Sequence, residues 1–214
     1  MASIPERVTV IDHPLVADRL AKLRDARTPS RAFRKLVTQL TVLAGIQATR
    51  DLPLTPVDVQ TAMGTAHCGT LASADISIVP VLRAGIGMLD GMLELLPDAH
   101  VGFLGLFRDE ATHLPMEYYD KLPAGIEDHD CVFVVDPMLA TGGTAVHAID
   151  LLRKQGVEKI RLIVLIAAPE GLAAVLDADP NVEIYACAVD EGLNPDAYIV
   201  PGLGDAGDRI FQTC

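Results

Sequence analysis

The sequence predicts a single α/β domain: a mainly parallel, twisted sheet flanked by helices, with a helical N-terminal arm. Three observations carry this. Five continuous apolar runs recur after residue 75, helix-like segments lie between several of them, and the first third shows helical periodicity without a strong strand. Strands that read as unbroken apolar runs and alternate with helices belong to parallel sheets buried on both faces. A chain of 214 residues fits one domain, since domains average roughly 150 residues.

In the arm, Leu15 or Val16, Leu20 and Leu23 recur at helical spacing between His13-Pro14 and Arg24-Asp25. A second helix is expected from Thr28 as N-cap and Pro29 at the first helical position. Its apolar face is Phe33, Leu36, Val37, Leu40, Leu43 and Ala44. It should end near Arg50-Asp51, because Pro53 bars helical geometry at Leu52. Residues 1–55 thus read as a cap or subunit-contact arm, and residues 56–214 as the α/β core of the same domain. Core strands are expected at Ile76–Leu82, Val101–Phe107, Cys131–Val135, Ile160–Ala167 and Val182–Val189. Helices are expected at Met88–Leu96, Thr144–Gln155 and Pro169–Leu176. No Ser/Gly linker, low-complexity tract or internal repeat divides the chain.

Composition limits the partners. Half the residues are apolar, there is no Trp, and five Phe and four Tyr leave aliphatics and Ala to fill the core. Seventeen basic residues against 29 acidic ones give a net charge of −12. Neither nucleic acid nor a membrane surface is an expected partner, since both call for a basic footprint. A phosphate ligand held by a few local groups remains compatible. The N-terminus has no apolar leader core, and no run of about 18 apolar residues could span a membrane. Cys68, Cys131, Cys187 and Cys214 form no C-x-x-C pair, and Cys131 and Cys187 sit in apolar runs as expected buried thiols. The six histidines lack metal-ligand spacing. A cytoplasmic location is expected.

In open α/β sheets ligands bind at the carboxyl ends of the strands. The third run ends Val134-Val135-Asp136-Pro137-Met138-Leu139-Ala140-Thr141-Gly142-Gly143-Thr144, and a helix follows. Consecutive backbone N–H groups, two glycines and two hydroxyls at a helix N-terminus make an anion cradle. The acid before it can accept hydrogen bonds from a vicinal diol, so phosphate plus sugar suggests a ribose 5-phosphate ligand. Simple capping by Thr141 or Thr144 would explain the threonines but neither the Gly-Gly pair nor the acid. A side chain at Gly142 is expected to fill the cradle.

Residues Asp136 to Thr144 resemble the phosphoribosyl pyrophosphate loop of type I phosphoribosyltransferases. Most of that superfamily carries two adjacent acids, whereas this chain has Asp136-Pro137, a variant that resembles the uracil phosphoribosyltransferases. Arg50-Asp51-Leu52-Pro53, Val81-Leu82-Arg83-Ala84-Gly85, Ala167-Ala168-Pro169-Glu170-Gly171 and the segment from Tyr198 to Arg209 extend the likeness over about residues 8 to 213. The resemblance implies a pentosyltransferase that joins uracil to phosphoribosyl pyrophosphate, giving UMP and diphosphate in pyrimidine salvage.

The remaining strand ends fit that chemistry. Arg83 and Arg108 end the first two runs, and two arginines on one sheet edge can clamp a pyrophosphate. Alone, either would read as a solvated surface charge. The resemblance places diphosphate contacts on both, and binding of phosphoribosyl pyrophosphate on Asp136, Pro137, Met138, Leu139, Ala140, Thr141, Gly142, Gly143, Thr144 and Asp205. Gly202-Leu203-Gly204-Asp205-Ala206-Gly207 imitates a dinucleotide fingerprint, but seven residues follow it where a helix and a distant acid are needed. A Gly-rich turn exposes backbone groups that can read uracil directly, and a backbone N–H aimed at O4 rejects cytosine. By resemblance, Ile199, Gly204, Asp205 and Ala206 contact the base.

Expected catalytic groups are Arg83, Arg108 and Asp205, the last as candidate base for uracil N1. A Mg²⁺ cofactor would be held mainly through the substrate, with no protein metal site. The resemblance also implies a homo-oligomer, dimer or tetramer, and a GTP activator. Residues 109–130 read as a solvated hairpin excursion or a mobile lid that excludes water. The alternative function is a phosphoribosyl pyrophosphate-sensing pyrimidine regulator with RNA binding and weak transferase activity.

Overall fold

The five apolar runs become the middle of one sheet. The structure, a computed structural model, describes residues 5–72, 75–108 and 115–213, without the side chains of residues 107, 108 and 115–117. The chain begins with β1 (Val8–Val10), α1 (Pro14–Arg24) and α2 (Ser30–Ala48), then a hairpin of β2 (Leu54–Thr61) and β3 (Gly64–Leu71). Next come β4 (Ile76–Leu82), α3 (Ile86–Leu95), β5 (His100–Val101), β6 (Phe103–Arg108) and β7 (Pro115–Lys121). The second half runs β8 (Cys131–Val135), β9 (Met138–Leu139), α4 (Gly143–Lys154), β10 (Ile160–Ala167), α5 (Pro169–Ala178) and β11 (Glu183–Val189). It closes with β12 (Gly192–Leu193), β13 (Ile199–Val200) and α6 (Ala206–Phe211).

The main sheet has the order β1-β11-β10-β8-β4-β6-β7. Every neighbouring pair along it is parallel except β6 with β7. Each central strand is buried on both faces, as its unbroken apolar run requires. In β8, Cys131, Phe133 and Val135 face one cluster and Val132 and Val134 the other. The first cluster is covered by α1, α2, α3 and α6, through Leu23, Phe33, Leu40, Met92 and Ile210. The second lies under α4 and α5, through Ala148, Leu152, Leu172 and Val175. Burial pushes the thiols of Cys131 and Cys187 up to about 12, and both are free.

Three features differ from the sequence expectation. The expected helical arm also carries β1, which extends the sheet beside β11, and α2 lies against the sheet face as part of the core. Thr28 does not cap α2. Its hydroxyl donates to the Lys22 carbonyl at 2.6 Å, closing the end of α1, and α2 starts at Ser30 with no side-chain cap. The third is the β2–β3 hairpin, in register from Leu54–Leu71 to Thr61–Gly64 and exposed along both strands. Val57 and Val59 do alternate with polar residues, but Pro56 interrupts the strand signal.

A buried cation ties α2 to the sheet. Arg161 on β10 is wholly buried and donates to Asp51 Oδ2 at 2.6 Å, Glu183 Oε2 at 2.7 Å and the Ala48 carbonyl at the end of α2. Hydrogen bonds to two carboxylates hold the guanidinium protonated against the cost of burial.

Candidate active site

The parallel strands β4, β6, β8, β10 and β11 bring their carboxyl ends to one edge, delivering Arg83, Arg108, Asp136 and Asp190 there. Two adjoining recesses open on this edge. One, of about 220 Å³, is lined by Ile199, Gly204, Asp205 and Ala206 together with Tyr198 and Ala84. The other, of about 90 Å³, follows the loop from Asp136 to Thr144. They share Asp136, Met138 and Ala140, so a ligand filling both would lie across the Asp136 carboxyl.

The loop is pinned before it turns. The Pro137 carbonyl accepts from the N–H groups of Leu165 and Ile166, both at 3.1 Å, and Met138 and Leu139 pair with Ile166 and Ala167 of β10. Beyond this anchor, Gly142 adopts φ +84° as the N-cap residue of α4, where it offers no side chain to the first turn. The first-turn N–H groups of α4 are the anion-binding element of such a loop. The expectation that a Gly142 side chain would fill the cradle is corrected. A Cβ there would meet Ala174 Cβ at 2.8 Å and the Gly171 carbonyl oxygen at 3.0 Å, pressing against α5.

Asp136 is half-buried at the end of β8, and its Oδ1 accepts a long bond of 3.4 Å from the Met138 N–H. Burial, and then the facing Asp205 carboxylate, push its carboxyl up to about 7. Asp205 is exposed and caps α6, its Oδ1 accepting from the Asp208 N–H at 2.8 Å. Arg83 is largely exposed, with Nη2 3.8 Å from Asp208 Oδ1. Arg108 ends β6 on the same edge, while its side chain and residues 109–114 lie outside the described residues, as does Cys214. Within the 109–130 segment, Pro115–Lys121 pairs antiparallel with β6 at the sheet edge.

Sequence reasoning missed the turn that supplies part of the wall of the first recess. Asn194 Oδ1 accepts from the N–H groups of Asp196 and Tyr198 at 3.0 and 2.8 Å, and Ala197 takes φ +62°. This turn carries Ala197 and Tyr198 to the recess wall. The Asn194-Pro195-Asp196 turn signal was the only sequence trace of it.

A mainly parallel sheet whose strand ends bring an acid, a Gly-Gly helix start and arginine positions to one edge defines a type I phosphoribosyltransferase. A hypoxanthine phosphoribosyltransferase from Staphylococcus aureus shares the fold, with a TM-score of 0.51 at 17% identity over 75% of this chain and 76% of its own. A protein from Aquifex aeolicus superimposes with a TM-score of 0.91 at 37% identity, over 96% of this chain and 98% of its own. The family model for uracil phosphoribosyltransferase matches residues 10–213. Uracil phosphoribosyltransferases of Anoxybacillus flavithermus and Clostridium perfringens are each 52% identical over 207 residues, 97% of this chain and 99% of theirs. The chain belongs to the uracil phosphoribosyltransferase family.

Proposed function

We propose that the protein transfers the phosphoribosyl group of 5-phospho-α-D-ribose 1-diphosphate to N1 of uracil, giving UMP and diphosphate in pyrimidine salvage. The observation that carries this is the junction of the two recesses at Asp136. The phosphate cradle lies on one side of a diol-binding acid, and a recess walled by Gly-rich backbone lies on the other. Uracil sits in the recess of Ile199, Gly204, Asp205 and Ala206, read by backbone groups. The 5-phosphate rests on the N–H groups from Ala140 to Thr144, and Asp136 accepts from the ribose hydroxyls.

Displacement at the anomeric carbon passes through an oxocarbenium-like state while negative charge grows on the leaving diphosphate. Arg83 and Arg108 stabilise that charge from their strand ends. Asp205 borders the base and accepts or electrostatically steadies the N1 proton. Among the described residues no group of three His, Cys, Asp or Glu side chains forms a metal cage. Asp136 and Asp205 nonetheless both line the cleft, two acids whose like charges repel, a setting that suits a cation carried among substrate oxygens. Mg²⁺ held there would supply charge neutralisation on the diphosphate.

The protein works as a homo-oligomer; exposed Leu54, Val57, Val59, Met63 and Leu71 on the β2–β3 hairpin support this. A GTP activator rests on the family resemblance alone. A cytoplasmic setting is supported by the pair of reduced buried thiols, and no described helix is long and apolar enough to cross a membrane. The charge of −12 favours small-molecule chemistry over nucleic-acid binding.

The test is base specificity. Protein, Mg²⁺ and phosphoribosyl pyrophosphate are offered uracil, cytosine, orotate, hypoxanthine and adenine. UMP from uracil alone is expected; no UMP would overturn the proposal.

A further inference from the structure

The backbone that walls the base recess does not hold itself in place. Gly204 has φ +82°, and among the described residues no atom beyond its two chain neighbours lies within 4 Å of where its Cβ would be. Its orientation must come from its neighbours, and side chains far away in sequence grip them. Arg24, the last residue of α1, donates to Asp190 through both nitrogens, Nη1 to Oδ2 at 2.7 Å and Nη2 to Oδ1 at 2.6 Å. Arg24 Nη1 also donates to the Gly202 carbonyl at 2.8 Å, while Asp190 Oδ2 accepts from the Gly202 N–H at 2.8 Å. Both peptide groups of Gly202 are thereby fixed by one ion pair. Asp190 is only 5% exposed, so the pair is held where water competes little.

The grip reaches the recess through Gly202 itself. It has φ +57°, and a Cβ there would fall 2.1 Å from the carbonyl oxygen of Ile199, a residue of the recess wall. One step further, Arg209 donates from Nη1 to the Leu203 carbonyl at 2.9 Å and from Nη2 to the Asp25 carbonyl at 2.7 Å. Its guanidinium lies 4.3 Å over the Phe33 ring of α2. The Gly202–Leu203 backbone is thus tied to the end of α1 from two directions.

We propose that Arg24, Asp190 and Arg209 are positioning residues for base recognition, setting the backbone of Gly202–Asp205 so that its polar groups match uracil. This rests on the assignment of the Ile199–Ala206 recess to uracil. Backbone readout tolerates little displacement, because an N–H or carbonyl cannot rotate independently to follow a ligand. None of the three lines the cradle of residues 136–144, so their effect falls first on the base and reaches phosphoribosyl pyrophosphate only through Asp205.

Arg24→Lys tests this. A lysine keeps the charge, but its single ammonium cannot span both Asp190 oxygens and the Gly202 carbonyl. The expected result is a rise of about tenfold or more in KM for uracil with a much smaller change in KM for phosphoribosyl pyrophosphate, as small misplacements of a binding group cost this much. An unchanged uracil KM, or an equal rise in both KM values, overturns the inference. If Arg24→Lys yields no folded protein, Arg209→Lys is measured in the same way and judged by the same outcomes. Ala206→Leu, which fills the recess directly, separates the two levels. Loss of uracil use by Ala206→Leu beside a normal Arg24→Lys overturns the positioning role and leaves the recess assignment standing. Normal uracil KM in both removes the assignment and the inference together.

Discussion

Asp136 and Asp205 line the same cleft, and the Asp205 carboxylate adds to burial in lifting the Asp136 carboxyl to about 7. The acid that is to receive the ribose hydroxyls is therefore only partly ionised at neutral pH in the free protein. As a carboxylate it accepts hydrogen bonds only; protonated, it loses part of that capacity.

Affinity for phosphoribosyl pyrophosphate should therefore rise as pH climbs through about 7, the value to which Asp136 is lifted. Removing the like charge with Asp205→Asn should move that midpoint to lower pH. Calorimetric titration of both proteins at fixed Mg²⁺ checks this, and the substrate's own titration cancels between them. A midpoint common to both would sink the electrostatic link. Stability follows the opposite sense. Between the unfolded value near 3.8 and about 7, the native state binds the extra proton. The ligand-free fold thus loses stability as pH rises across that window, the reverse of a salt-bridged aspartate.

Arg83→Ala should lower kcat by about 10²–10³, on the scale of a lost donor to a developing oxyanion. The side chain is 59% exposed and makes one long ion pair with Asp208 at 3.8 Å, so the fold should tolerate its loss. Single-turnover kinetics with an unchanged melting temperature is the expected combination. An unchanged rate would take Arg83 out of the site.

Local signals were the legible ones. The runs at Ile76–Leu82, Cys131–Val135 and Ile160–Ala167 match β4, β8 and β10 residue for residue, because strands buried on both faces have no polar partner to blur their ends. The Asp136–Thr144 loop was legible for a related reason, since strand end, turn and helix start are contiguous. The β2–β3 hairpin was not, because it buries neither face and leaves no periodic signature beyond Val57 and Val59. Nor were Arg24 and Asp190, which meet across 166 residues of sequence, with nothing in either neighbourhood to announce the other. Thr28 shows the limit of a capping rule: the residue type is right, but its hydroxyl closes the preceding helix.

Gly142→Val should weaken phosphoribosyl pyrophosphate binding by displacing the loop. At φ +84° a branched residue is strained by about 1–3 kcal/mol, and its Cβ runs into Ala174 and the Gly171 carbonyl. The added bulk points at α5, so pairing Gly142→Ala with Ala174→Gly should recover part of the affinity by opening space there. Fluorescence or calorimetric Kd values for the single and paired variants decide the point. No recovery in the pair would favour a side chain that blocks the cradle itself.

Arg161→Met should cost about 1–3 kcal/mol of stability, the penalty for leaving the buried Ala48 carbonyl without a donor. The loss should not reach that of an orphaned buried charge. Asp51 is 61% exposed and Glu183 30%, so water can solvate both carboxylates once the guanidinium is gone. Methionine keeps much of the apolar volume between β10 and α2, which limits any cavity. Because Arg161 joins α2 to the sheet far from the Asp136 loop, kcat and both KM values should stay near those of the parent. Urea denaturation followed by circular dichroism measures the first part, and steady-state assays the second. A loss of uracil affinity comparable to that of Arg24→Lys would mean that the seating of α2 on the sheet, and not the ion pair at Gly202, sets the base recess.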